Sequence, residues 1–92
     1  MRIVGDIPHP QMKITIFKME ERFSVKFENG FYEQIFKFKL GEVSNLESLI
    51  SAISDTFVNA VLLNFENLHQ IKLKHFSSFL SKEMEDEFEK II

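Results

Sequence analysis

Residues 23–38, with the sequence FSVKFENGFYEQIFKF, decide the fold of this chain. Apolar residues alternate with polar ones on both sides of the pair Asn29-Gly30, which is the pattern of half-buried β-strands. An Asn-Gly pair between two such runs is typical of a type I′ turn, in which both central residues need a positive φ. The stretch therefore predicts an antiparallel β-hairpin.

A further strand is predicted immediately before the hairpin. Residues 12–18 alternate in the same way, with β-branched residues in the middle of the run, and the polar residues 19–22 supply a turn. If Lys18 lies opposite Phe23, the large apolar side chains of both strands fall on one face. A shift by one residue would scatter them over both faces, so the pattern favours this register.

The Asn-Gly turn predicts the same face independently. It places Val25 opposite Gln34 and Phe23 opposite Phe36, so that Gln34 interrupts an otherwise apolar face. The two turns thus independently predict the same core face. Such agreement between local turn signals and the overall hydrophobic pattern is expected of a sequence that folds to one structure. The predicted core face of the sheet contains Met12, Ile14, Ile16, Phe23, Val25, Phe27, Tyr32, Phe36, Phe38 and Leu40.

The C-terminal half is predicted to be helical. Ser44 and Glu47 have the spacing of a capping box and mark the start of a first helix. Residues 54–56, Ser-Asp-Thr, offer a second cap and predict a bend before a second helix that begins near Thr56. Neither Pro nor Gly occurs after that point, so the second helix is predicted to be long.

The length of the second helix predicts either a reversal or an external contact. A helix over residues 56–90 would be about 50 Å long, about twice the breadth of a domain of this size. Either the helix turns back near residues 64–67, with another break near Ser77 and Ser81, or its outer half packs on another chain. The acidic last turns, residues 82–90, are expected to fray.

These elements predict a single α+β domain over residues 1–92 with the element order βββαα. The expected architecture is a three-stranded antiparallel β-meander, one face of which is covered by helices from the C-terminal half. Residues 1–11 form an extended N-terminal segment stiffened by two prolines, residues 12–40 the meander and residues 44–90 the helical half.

The composition disfavours several classes of function. A net charge of −3, without a cluster of five basic residues, disfavours nucleic acid as the main partner. The absence of cysteine excludes disulfides and cysteine-ligated zinc, and is typical of a cytoplasmic protein. The sequence has no run of about 18 apolar residues, so no membrane span is predicted. It also has no apolar N-terminal region of the kind found in signal peptides, so no signal peptide is predicted. The eleven phenylalanines favour dry cores and dry protein interfaces.

Catalytic, cofactor and metal sites are not expected. The chain contains no glycine-rich phosphate loop, no nucleophile elbow and no pair of histidines at the i, i+4 spacing. His9 lies between two prolines, where an imidazole can serve as a ligand or general base. A metal site would need further ligands, and His69 and His75 are far along the chain. We therefore interpret His9 as an exposed residue of a rigid loop.

Six apolar residues are the candidates for contact with a protein partner. They are Phe17, Phe31 and Ile35 on the outer sheet face, and Leu73, Phe76 and Leu80 on the second helix. Phe17 and Ile35 are predicted on either side of the small Ser24, and an apolar cluster among charges is typical of a binding patch. The leading hypothesis is a protein–protein interaction module, a homodimer or a small subunit of a larger assembly, without catalytic activity of its own.

Two alternatives stay open. One is a small-molecule binder or enzyme that uses a cleft between sheet and helices, with His9, Tyr32 or Gln34 as the polar groups. The other is weak binding of nucleic acid by the outer sheet face, where Phe17 and Phe31 would stack on bases and two glutamates would dilute the positive field. The cations in this second alternative are Lys13, Lys26, Lys37 and Lys39.

Four short motifs lie in about the first forty residues, namely Ile7-Pro8-His9, Lys13-Ile14-Thr15, Lys26-Phe27-Glu28 and Glu33-Gln34. On these motifs the chain resembles an uncharacterised family of short bacterial proteins. The resemblance implies a cytoplasmic bacterial protein and brings no activity with it.

Overall fold

In the computed structural model the chain is an α+β protein with an antiparallel sheet followed by two helices. The structure describes residues 1–39 and 41–91, with side chains for residues 1–39 and 41–79. The sheet has the strand order β1-β2-β3-β4. The elements are β1 (Arg2–Ile7), β2 (Lys13–Met19), β3 (Arg22–Glu28), β4 (Glu33–Lys39), α1 (Leu46–Ala52) and α2 (Asp55–Ile91).

The prediction of three strands is wrong, because the N-terminal segment supplies a fourth. β1 pairs antiparallel with β2, with Ile7 opposite Ile14 and Gly5 opposite Ile16. The register shifts between Ile3 and Gly5, which is the signature of a β-bulge. β1 has only six residues, and the bulge interrupts the period-two alternation within them. For this reason the sequence pattern did not predict the strand.

The predicted register of β2 and β3 is confirmed. Lys18 lies opposite Phe23, and Ile16 lies opposite Val25. The turn between these strands places Glu20 at a φ of 49°, in the left-handed region that costs free energy for any residue other than glycine.

The predicted register of β3 and β4 is wrong by two residues. Val25 lies opposite Phe36, not opposite Gln34, and the hairpin closes with Glu28 opposite Glu33. Because side chains alternate between faces with a period of two, a shift by two residues leaves each side chain on its predicted face. The core face is therefore preserved although the pairs are different.

A four-residue turn causes this shift. Residues 29–32 connect the strands, and the Asn29 Oδ1 atom accepts hydrogen bonds from the backbone N–H groups of Phe31 and Tyr32, at 3.1 Å and 3.0 Å. Gly30 has a φ of 94°, whereas Glu20 is the one non-glycine residue with a positive φ in the described part of the chain. A two-residue type I′ turn is therefore incorrect, since Asn29 does not take the positive φ that it requires.

The core lies between the inner face of the sheet and the helices. The rings of Phe27, Phe36 and Phe57 meet there, with centroid separations of 5.8 Å for Phe27–Phe36 and 5.1 Å for Phe36–Phe57. Edge-to-face and tilted contacts at such distances are favourable for aromatic rings. Leu40, a predicted core residue, lies outside the described residues. Further buried residues are Met12, Ile14, Ile16, Phe23, Val25, Val43, Leu49, Ile53, Val58 and Val61.

The start of α1 differs from the predicted capping box. The N-cap is Asn45, whose Oδ1 atom accepts a hydrogen bond from the Ser48 N–H at 2.8 Å. The predicted pair of Ser44 and Glu47 lies one residue too early for this role. Asn is as good an N-cap as Ser, so the choice between neighbouring candidates was not determined by residue type.

The bend before α2 is confirmed. The Ser54 hydroxyl accepts a hydrogen bond from the Phe57 N–H at 3.2 Å, and α1 and the following helix are bent by 67°. The predicted reversal near residues 64–67 and the break near Ser77 are wrong, because α2 is one helix from Asp55 to Ile91. Within the described residues no single helix has the length and apolar character needed to cross a membrane, and only the bent pair of helices meets both conditions jointly.

The chain divides into two compact units, Met1–Leu62 and Leu63–Ile92. The first unit contains the sheet, α1 and the beginning of α2. The second unit contains the remainder of α2, in which Phe65 is buried and residues 69–79 are all exposed.

Candidate protein-interaction site

The outer face of the sheet is the first candidate surface. Cross-strand pairing places Ile3, Phe17, Ser24 and Lys37 in one row, and Asp6, Thr15, Lys26 and Ile35 in the next row. Ile35 is therefore opposite Lys26 and not beside Ser24 as predicted, which again reflects the two-residue shift of β4. Phe17 is half-buried, whereas Ile35 is 53 % exposed.

A shallow groove of about 390 Å³ lies on this face. Apolar groups come from Phe17 and Ile35, while Arg22 and Lys37 contribute positive charge. The ammonium group of Lys26 lies 5.4 Å from the centroid of the Phe17 ring, within the range of a cation–π contact. The residues that line the groove are Met1, Phe17, Met19, Arg22, Ser24, Lys26, Glu33, Ile35 and Lys37.

Phe31 does not join this groove. It lies in the turn formed by residues 29–32 and is 84 % exposed, beyond the ends of β3 and β4. The structure thus brings together two of the three predicted residues of the outer face, Phe17 and Ile35.

The exposed part of α2 is the second candidate surface. Leu73 and Phe76, both predicted, are exposed, and Phe79 is exposed beside Phe76 with a ring-centroid separation of 6.2 Å. Sequence reasoning missed Phe79, although its position three residues after Phe76 is the helical spacing that signals neighbouring side chains. The side chain of Leu80 lies outside the described residues.

Two of the three polar side chains of the cleft hypothesis, those of Gln34 and His9, are hydrogen-bonded to the backbone. The Gln34 side-chain amide donates to the Val61 oxygen at 2.9 Å, and the His9 Nδ1 atom accepts from the Gln11 N–H at 3.1 Å. At Tyr32 the bond to the Asn29 side chain is made by the backbone N–H and not by the phenol. In the described part of the chain, no cluster of three acidic or histidine side chains is arranged to hold a metal ion.

Two of the four cations of the nucleic-acid hypothesis, Lys13 and Lys26, lie beside an acid. Lys26 lies 3.7 Å from a carboxylate oxygen of Glu28, and Lys13 lies opposite Glu28 in the ladder of β2 and β3. Lys26 also lies over the Phe17 ring. A base could stack on that ring only after Lys26 moved away.

Comparisons of this chain with protein-family models, with curated proteins and with solved structures found no match.

Proposed function

We propose that this protein is a protein–protein interaction module, which works as a homodimer or as a small subunit of a larger assembly and has no catalytic activity of its own. The observation that carries the proposal is the exposure of large apolar side chains along residues 63–79 of α2. Leu63 is 72 % exposed, and Phe76 and Phe79 are each 52 % exposed. Ile71 and Leu73 are exposed as well.

The physical reason is that a helix gains most of its stability from packing an apolar face. Burial of one phenylalanine side chain contributes about 1.5–3 kcal/mol. Among these side chains the rings of Phe76 and Phe79 are neighbours, and contiguous exposed apolar groups are typical of interaction sites. A partner that covers Phe76 and Phe79 would therefore both bind and stabilise this part of α2.

The contacts on the sheet favour this proposal over the two alternatives. Gln34, one of the three polar residues of the cleft hypothesis, donates a hydrogen bond to the Val61 oxygen. Of the two stacking residues of the nucleic-acid hypothesis, Phe17 is covered by Lys26, and Phe31 lies in the turn beyond the strands. A cytoplasmic location, predicted from the absence of cysteine and from the family resemblance, belongs to the same proposal.

Sedimentation velocity of the full chain over a range of concentrations tests the proposal. The mass should rise above that of one chain of 10.9 kDa, and the double variant Phe76→Ser/Phe79→Ser should weaken association by about tenfold or more. Gln70→Ser/Lys74→Ser is the matched control, because it alters exposed polar positions of the same helical segment. A chain that stays monomeric at high concentration and retains no protein in a pull-down would contradict the proposal.

A further inference from the structure

We propose that β4 pairs with β4 of a second copy of this chain, antiparallel and centred on Phe36, so that two sheets join into one continuous sheet. The inference deepens the proposed function, because it assumes association and names a surface and a partner. β4 is an edge strand, since the sheet order ends with it and its ladder runs to β3. An edge strand presents backbone hydrogen-bonding groups that another strand can pair with.

Like charges face each other at both ends of the ladder between β3 and β4. Glu28 lies opposite Glu33 at the turn end, and Arg22 lies opposite Lys39 at the other end. Directly opposed like charges destabilise a pair of strands. Glu33 and Lys39 are exposed, and neither has an ion-pair partner within the described part of the chain. β4 thus carries an acid at one end and a base at the other, each facing a like charge on β3.

A second copy supplies both missing opposite charges. When Phe36 of one copy faces Phe36 of the other in an antiparallel pair, Glu33 of each copy faces Lys39 of the other. All 7 residues of β4 lie opposite a residue of the other β4 in this register, and at its end the Lys39 carbonyl accepts from the Glu42 and Val43 N–H groups of its own chain. A register centred on Ile35 would instead leave Lys39 opposite Phe31, which lies outside the strand. The charges and the strand length therefore select the same two-fold symmetric pairing.

The inner face of β4 also gains from this pairing. Phe36 and Phe38 are half-buried, whereas Val25 and Phe23, their partners on β3, are buried. A second strand beside β4 would cover the open side of Phe36 with the same residue of the other copy. The apolar row of the inner face would then run through both sheets without interruption.

Two charge variants, prepared separately and then mixed, test this pairing. In Glu33→Lys, each copy presents two lysines to the other, and in Lys39→Glu each presents two glutamates. Each variant alone should therefore associate about tenfold more weakly than the natural chain. In the mixture, the introduced lysine faces the introduced glutamate and the natural Lys39 faces the natural Glu33. Association should then return to the natural level, measured by sedimentation velocity with one variant labelled.

Loss of folding does not confound these variants. Glu33→Lys places a cation opposite Glu28, and Lys39→Glu places an acid opposite Arg22, so each replaces a like-charged pair of β3 and β4 by an opposite pair. At protein concentrations at which the chain is a monomer, both variants should have a urea midpoint at least as high as that of the natural chain. Lys37→Glu is the matched control, because it makes the same charge change on the same face but faces Ile35 in the proposed register.

The inference is overturned if the mixture associates no more tightly than its components, or if Lys37→Glu weakens association as much as Lys39→Glu. In both cases association through Phe76 and Phe79 can persist, and the proposed function is then unaffected. A different result would support strand pairing and contradict association through α2. In that result, mixing the two charge variants restores association, and the Phe76→Ser/Phe79→Ser variant associates as tightly as the natural chain.

Discussion

The side-chain amide of Gln34 donates a hydrogen bond to the backbone oxygen of Val61, with an N–O distance of 2.9 Å. The bond joins β4 to α2 at the point where the apolar pattern of β4 is interrupted by a polar residue. A half-buried amide costs free energy unless it is hydrogen-bonded. The interruption therefore has a structural use, as a polar connection between the sheet and the helix.

Replacement of Gln34 by Glu should destabilise the fold. The substitution removes the N–H donor and brings a carboxylate towards the Val61 oxygen, so the free energy of unfolding should fall by about 1–3 kcal/mol. Urea denaturation followed by circular dichroism measures it. Gln11→Glu, the same substitution at an exposed position outside the sheet, should alter stability by less than about 0.5 kcal/mol. Equal stability of Gln34→Glu and the natural chain would show that the bond is not needed.

Phenylalanines on the two faces of the sheet should respond differently to the same substitution. Phe27 is fully buried and contacts the rings of Phe36 and Phe57, so Phe27→Leu should lower the free energy of unfolding by about 1–2 kcal/mol. Phe17→Leu should lower it by less than about 1 kcal/mol, since it mainly loses the contact with Lys26. A larger effect at Phe17 would mean that the outer face is part of the core.

Glycine substitutions at two adjacent positions in the turn between β2 and β3 should change stability in opposite directions. Glu20 has a φ of 49°, so Glu20→Gly relieves backbone strain and should raise stability by about 0.5–1 kcal/mol. Glu21 has no positive φ, and Glu21→Gly should lower stability by a similar amount, because it only increases the freedom of the unfolded chain. Thermal denaturation of the two variants side by side gives the comparison, and a gain in both would contradict it.

Two alanine substitutions distinguish the observed helix cap from the predicted one. Asn45→Ala removes the acceptor of the Ser48 N–H and should cost about 1 kcal/mol. Ser44→Ala should cost less than about 0.5 kcal/mol, because Ser44 is not the N-cap. If the costs were reversed in urea denaturation, the first helix would begin at the sequence-predicted position.

The inner face of the sheet was predictable because side chains alternate between the two faces with a period of two. A register error of two residues therefore leaves each side chain on the same face. The prediction for β4 was displaced by two residues, yet Phe36 and Phe38 still fell on the inner face. Turn length was not predictable, since the side chain of Asn29 could serve a two-residue turn or accept two backbone N–H groups in a four-residue turn. The structure has the four-residue turn, in which Asn29 accepts both bonds and Glu28 lies opposite Glu33.

The candidate surfaces were predictable in kind and only partly in detail. An exposed helical segment with Leu73 and Phe76 was expected from length and spacing, and Phe79 was missed. Phe31 was assigned to the sheet face but lies in the turn, because the register places it outside β4. The like-charged pair of Glu28 and Glu33 could not be predicted, because it depends on the observed register of β3 and β4.

The amino-acid sequence by itself determined the alternation of the strands, the face that becomes the core, the bend at Ser54 and the helical character of the C-terminal half. All of these depend on local spacing, on side-chain type or on bonds between residues close in the chain. Only the tertiary structure decided that the N-terminal segment joins the sheet, which strand pairs face each other and which apolar groups of α2 stay exposed. These properties depend on contacts between residues distant in sequence, whose free energies compete with one another and cannot be read from any one segment.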